Sequence, residues 1–223
     1  MTMTRGVPDA ERTLQGLEDG RSSVRLRAAL AAGTAPGPHF VDKLVERCAV
    51  EPELFVRDML TWALVRHPVS LTLPRLLAEA ASERAQARSQ ALHTLSKIGD
   101  RRAWQVVTPA LLSDADDAVA RSAWRAAVVL VPDDERSALA AVLAAQLGRG
   151  GPETQLSLSQ ALTALGEVIV PVLESAATAG DPGVRAHALA TQRLLRDPDA
   201  GFRQAVEEAK RVVALNGAPG DGR

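Results

Sequence analysis

Asp58 and Trp62 stand four residues apart in "VRDMLTWAL", so one helical face carries a carboxylate and an indole together. With Arg27, Arg121 and Arg125 available for phosphates, this is the one constellation in the chain with enzymatic potential. Other chemistry lacks its residues. There is no Gly-rich phosphate loop, no His-Glu-x-x-His, no Cys cluster and no Ser elbow, and "GRGG" at 148–151 follows no strand. Nucleophilic and metal catalysis therefore have almost no sequence support, and no metal or cofactor is expected. The single cysteine, Cys48, falls within "KLVERCAV" as a small apolar residue of a helix pattern, with no activating His or helix start beside it. Core packing is its expected role.

The elements that must position these residues belong to a chain of 223 residues, 46% hydrophobic and 24% charged, long enough to bury a sizeable core. Its 26 Lys and Arg balance 27 Asp and Glu to a net charge of -1, so no global field draws it to nucleic acid or an anionic membrane. One cysteine forms no internal disulfide, which fits a reducing compartment. The N-terminus lacks a signal-peptide stretch and no run approaches the ~20 apolar residues that span a bilayer, so a cytoplasmic protein is expected.

A repeat organises the chain. The pattern Val-Arg, two free positions, a small or apolar pair, one free position and a second pair recurs six times, from Val24, Val56, Ala87, Val119, Ser157 and Val184. Its second residue is Arg25, Arg57, Arg88, Ala120, Leu158 and Arg185, at steps of 32, 31, 32, 38 and 27. The longest step holds "GRGGP" at 148–152, suited to an extended loop. Between copies runs a second helical pattern with apolar residues at three and four. Three of these carry an internal proline, Pro74, Pro109 and Pro171, which predicts a recurrent kink. "GFRQAVEEAKRVVALN" reads as a capping helix. Helix pairs of this size bury their apolar faces only by stacking. The expected fold is all-α: a right-handed α-solenoid of about six helix pairs with a C-terminal capping helix, one domain over 1–215 and a flexible tail over 216–223.

The segments "TPALLSDADDAVARSAW" and "VPVLESAATAGDPGVRAHAL" combine Pro-x-Leu in the first helix, an acid in the turn, then Val-Arg and paired small residues. This resembles the HEAT repeat family, in its short bacterial form related to the repeats of phycobilin lyases, from about residue 8 to 196. The resemblance implies that the second helices line a concave surface, and that the repeated Arg forms a ladder with acids of the turns, such as Asp181 with Arg185 and Glu53 with Arg57. Ala120 and Leu158 should break that ladder. Some HEAT-like proteins resemble DNA glycosylases that use an acid and aromatic side chains in the groove. Asp58 and Trp62 match that pairing, while the absence of Tyr and the net negative charge depart from it.

The small pairs Ala28-Ala29, Ala91-Leu92, Ala126-Ala127 and Ala164-Leu165 read as packing residues, and Trp104 and Trp124 as core. Positions left over form rows through the repeats. One row is Leu30, Trp62, His93, Arg125, Thr163 and Ala190; a second is Arg27, Met59, Gln90, Ser122, Gln160 and His187; a third is Leu26, Asp58, Ser89, Arg121, Ser159 and Ala186. Trp62, His93 and Arg125 with Met59, Arg27, Gln90 and Arg121 make the candidate binding surface. Trp62 has a competing role in sealing the seam between the second and third repeats, and His93 and His187 read singly as ordinary surface histidines. The expected function is a non-catalytic interaction module, not an enzyme, holding a segment of a partner protein in its groove. A DNA-binding protein or alkylpurine glycosylase is the alternative, and a chromophore or small-molecule role comes third.

Overall fold

The computed structural model describes residues 6–197 and 201–217. Helices are the only regular structure among the described residues, and the chain is an all-α solenoid of six helix pairs and a closing helix. It divides into two compact units, one ending at Val107 and one beginning at Thr108. In the first, α1 (Gly6–Gly16) pairs with α2 (Ser22–Thr34), α3 (Pro38–Cys48) with α4 (Leu54–Arg66), and α5 (Val69–Glu79) with α6 (Ala85–Ile98). A 3-10 turn over Arg101–Val106 follows. The second helices α2, α4 and α6 lie side by side. Leu17, Leu44, Leu60, Leu64, Leu76, Leu92 and Leu95 are fully buried between the two rows.

In the second unit α7 (Pro109–Leu112) pairs with α8 (Asp117–Leu130), α9 (Arg136–Ala144) with α10 (Pro152–Ala164), and α11 (Val170–Ala177) with α12 (Pro182–Arg196). The closing helix α13 (Phe202–Gly217) lays Phe202, Ala205, Ala209 and Val213 against Ala186 and Ala190 of α12, small residues that let it approach closely. Of the tail expected at 216–223, residues from 218 on lie outside the described residues.

Only one of the three prolines is interior. Pro74 stands inside α5, whereas Pro109 and Pro171 sit in the first turn of α7 and α11. At those two positions the first element of the repeat is a 3-10 turn followed by a new α-helix, because proline has no N–H to donate backward and is accommodated where a helix starts. The small pairs are buried at Ala28-Ala29, Ala91-Leu92 and Ala126-Ala127, but Ala164 is exposed as the last residue of α10, and only Leu165 faces inward. Ala91→Phe should therefore overpack a seam at about 1–3 kcal/mol, while Ala164→Phe should stay within about 0.5 kcal/mol of wild type, as surface changes do. Thermal melting of the two variants checks this, and equal shifts would contradict the placement of the seam.

Trp124 is fully buried and its Nε1 donates to the Leu112 carbonyl at 2.8 Å. Trp104, expected in the core, is half-buried: it lies in the 3-10 turn, whose threefold period does not hold it on the inward face of an α-helix. Cys48 is buried as expected, and burial pushes its thiol up to about 12, so it stays protonated.

The repeated arginine is structural, and what its copies share is a grip on backbone carbonyls of their own turn, to which Arg25 adds an ion pair with Glu51 of the next repeat's turn. Arg25 Nη1 donates to the carbonyls of Asp19 and Gly20, six and five residues back, each at 2.9 Å. Arg57 does the same to Glu51 and Pro52, Arg88 to Ser82 and Glu83, and Arg185 to Ala179 and Gly180. Each guanidinium folds back over the turn that precedes its own helix and satisfies carbonyls that the helix ladder leaves unpaired. Asp181 instead caps α12, accepting from the Val184 amide at 2.9 Å. Where Ala120 removes the arginine, Arg149 arrives from the loop after α9. It donates to Asp114 O, the carbonyl six residues before Ala120, and to Asp117 Oδ1 at 3.0 Å, with its guanidinium 5.8 Å from the Trp124 ring centroid. A neighbouring loop thus supplies the arginine that this repeat position lacks.

Candidate interaction surface

On α4, the exposed face presents Phe55, Asp58, Trp62, Val65 and Arg66 with half-buried Met59, a helical stripe at intervals of three and four. The corresponding face of α2 adds exposed Arg27 and Leu30, and that of α6 adds half-buried Gln90 and His93. Thr61 of α4 and Thr94 of α6, buried at the seam, stand 3.5 Å apart. The first unit thus brings Arg27, Met59, Trp62, Gln90 and His93 onto one row of helices, as their spacing predicts. Arg121 and Arg125 lie on α8 of the second unit, one turn apart, with Arg121 facing Glu153 at 3.4 Å. Partial burial and the neighbouring Arg121 lower the Arg125 pKa, and the guanidinium stays charged at neutral pH.

Trp62 has two duties. Its ring lies against Gly33 of α2, where a Cβ would come within 2.7 Å of Cε3 and 2.9 Å of the Ala63 Cα, so only glycine admits the indole. Arg66 completes the arrangement: its Nε donates to Gly33 O at 2.7 Å and its guanidinium carbon sits 5.0 Å from the Trp62 ring centroid. The seam it seals is the one between the first and second repeats, not the second and third. The residue remains 38% exposed, so the indole still offers surface to a partner.

The third row does not form a surface, since Ser89, Ser159 and Ala186 are buried in it. His187, read as a surface histidine, is 1% exposed. Its Nδ1 accepts from the Gly148 amide at 3.0 Å, which puts the proton on Nε2, 3.0 Å from both Gln155 O and Ser159 Oγ. Ser159 Oγ lies 2.7 Å from Thr191 Oγ1. A Ser–His pair is present, but an imidazole already protonated on Nε2 cannot take the Ser159 proton, so the pair ties α10 to α12 and does not make a nucleophile. Burial pushes the ring down to about 4, against a smaller opposing pull from Gln155 O. Gly148 adopts φ 85° and a side chain there would meet Val184, so the glycine loop and the histidine require each other. His67 repeats the device in the first unit, donating from Nδ1 to Ala63 O at 2.8 Å and accepting the Gly37 amide at 3.3 Å. The signal for His187 was its setting among Ala186, Ala188 and Ala190, small residues that pack tightly and leave no surface between them.

No helix among the described residues is long and apolar enough to cross a membrane. No group of three or more His, Cys, Asp or Glu side chains among them could hold a metal ion. No family model matches the chain, and no curated protein matches it. Among solved structures, the chain is similar to the complex of CpcE and CpcF of phycocyanin lyase from Nostoc sp. PCC7120, with a TM-score of 0.50 and 18% identity over 93% of this chain and 85% of that one. At that identity the likeness is one of fold. It also corrects the expectation that the chain is not an enzyme: an all-α helical stack of this kind is the architecture of a lyase complex, so the missing loops, elbows and metal motifs do not count against enzymatic work.

Proposed function

We propose that this solenoid is an interaction protein that holds a partner chain on the face formed by α2, α4 and α6, as a subunit of a larger assembly of the lyase kind. The observation that carries the reading is the exposed stripe Phe55, Trp62 and Val65, joined by Leu30: four large apolar side chains on neighbouring helices, one of them an indole held rigid by Gly33 and Arg66. Rigid aromatic anchors surrounded by aliphatic side chains are the centre of protein interfaces. The two-chain composition of the Nostoc complex supports a protein partner. Nucleic acid gains no support from this face, because Arg66 is committed to Gly33 and Asp58 interrupts the positive charge of Arg27.

Phe55 is exposed, so Phe55→Asp should leave melting unchanged while it removes the partner captured from the source cell by the wild-type chain. Trp62→Ala should cost about 2 kcal/mol or more of affinity for that partner, together with a stability loss because its ring also seals Gly33. Retention of the partner by Phe55→Asp would overturn the assignment. Affinity that falls steeply with salt would favour nucleic acid instead.

A further inference from the structure

A cavity of about 570 Å³ opens in the second unit among the start of α12, the start of α10 and the stretch of α13 from Val206 to Ala214. Val206, Val213 and Ala186 give it an apolar wall, and Arg185 and Lys210 are the charged residues lining it. Its volume is that of a small-molecule site, in which an apolar wall with few polar groups is the usual lining.

The state of Arg185 sets this cavity apart. Arg25 occupies the same slot in the first repeat, and there all of the guanidinium is used. Nη1 holds two turn carbonyls, while Nε and Nη2 grip the buried Glu51 carboxylate at 2.6 and 2.7 Å. Glu51 comes from the turn of the following repeat. Arg185 belongs to the sixth repeat, and among the described residues the single helix α13 follows that repeat. Its Nη1 holds the Ala179 and Gly180 carbonyls at 2.7 and 2.8 Å, which fixes the plane of the fork, and its Nε and Nη2 have no partner among the described residues. The chain therefore contains both the filled and the open form of one carboxylate-gripping device: Arg57 also holds only its turn carbonyls, with Nε unpartnered, and of the two open forms Arg185 is the one that borders the cavity.

We infer that this cavity binds a small apolar molecule bearing a carboxylate, with the acid held bidentately by Nε and Nη2 of Arg185. Val206 and Val213 receive the apolar body. A fork already oriented by its carbonyl contacts loses little freedom on closing over a carboxylate, which favours a bidentate grip over a point contact. Lys210 also lines the cavity, with its ammonium paired to Glu207 at 3.0 Å.

The test uses 2-naphthoate and its neutral analogue 2-naphthamide as matched probes on the full chain. Titration calorimetry gives the affinities, and amide chemical shifts of Ala186, Val206 and Val213 give the place. The acid should bind about tenfold or more tighter than the amide, as a charge-assisted pair requires, and the preference should fall to about onefold in Arg185→Gln. Because Arg185 also braces its turn, a second variant, Val206→Trp, fills the cavity and keeps the guanidinium; it should abolish binding of the acid. Equal affinities for the two probes, binding that survives Val206→Trp, or shifts confined to other residues would overturn the inference. So would no binding of the acid at millimolar concentration.

Discussion

Glu51→Ala should cost the first unit about 3–5 kcal/mol, the penalty of leaving a buried charge without its partner. The carboxylate is fully buried and accepts from Arg25 at 2.6 and 2.7 Å, from Arg47 Nε at 2.8 Å and from the Glu53 amide at 3.1 Å. Arg25, itself 5% exposed, cannot turn to water without giving up the carbonyls of Asp19 and Gly20. Burial by itself would raise the Glu51 pKa, but the hydrogen bonds from Arg25, the Glu53 amide and Arg47 overcome it and hold the group at about 2. A depressed carboxylate contributes stability that is complete above its unfolded pKa near 4.5 and is lost as pH falls toward 2. Amide exchange in α2 and α4 reads the loss in this unit alone. Protection in Glu51→Ala equal to wild type at pH 7 would show that the cluster does not hold the turns.

Acid should act on the second unit earlier, through His187. Its folded pKa near 4 lies below the ordinary 6.5, so between those values the unfolded chain binds a proton that the folded chain refuses. Stability is complete above pH 6.5, falls as pH drops and has lost about 3 kcal/mol by pH 4, taking 1.36 kcal/mol per unit. The cause is geometric. Nδ1 is occupied by the Gly148 amide, so a second ring proton would point at a donor in a site closed to water. His187→Gln should be less stable at pH 7 and should lack this fall between pH 6.5 and 4. Urea denaturation at pH 7, 5.5 and 4, followed by amide exchange in α10 and α12, makes the comparison. A wild-type chain whose second unit is as stable at pH 4 as at pH 7 would rule out the neutral, buried imidazole.

The two groups titrate in separable windows, and each belongs to a different unit. Mild acid should loosen α10 and α12 first. Only stronger acid should loosen α2 and α4.

What the amino-acid sequence determined by itself was the helical repeat, because helix period, small-residue spacing and turn composition are local properties that survive without knowledge of the neighbours. The six pairs, the closing helix and the loop at 148–151 follow from these, as does the burial of Ala91 and Trp124. The row that joins Met59, Trp62 and His93 was legible for the same reason, since equivalent positions of stacked repeats must adjoin. Tertiary structure decided the partners. Whether an arginine meets a carboxylate or a carbonyl depends on which turn lies within reach of its fork, and Arg25 finds Glu51, 26 residues on, while Arg57 and Arg185 hold carbonyls of their own turns. The replacement of a missing arginine by Arg149, from a loop 35 residues beyond the carbonyl it holds, leaves no mark in the repeat itself. His187 is decided in the same way: its burial comes from a glycine 39 residues earlier whose left-handed backbone aims an amide at the ring. Such contacts are set by the distance between elements after they pack, and a linear pattern carries spacing along the chain but not distance across it.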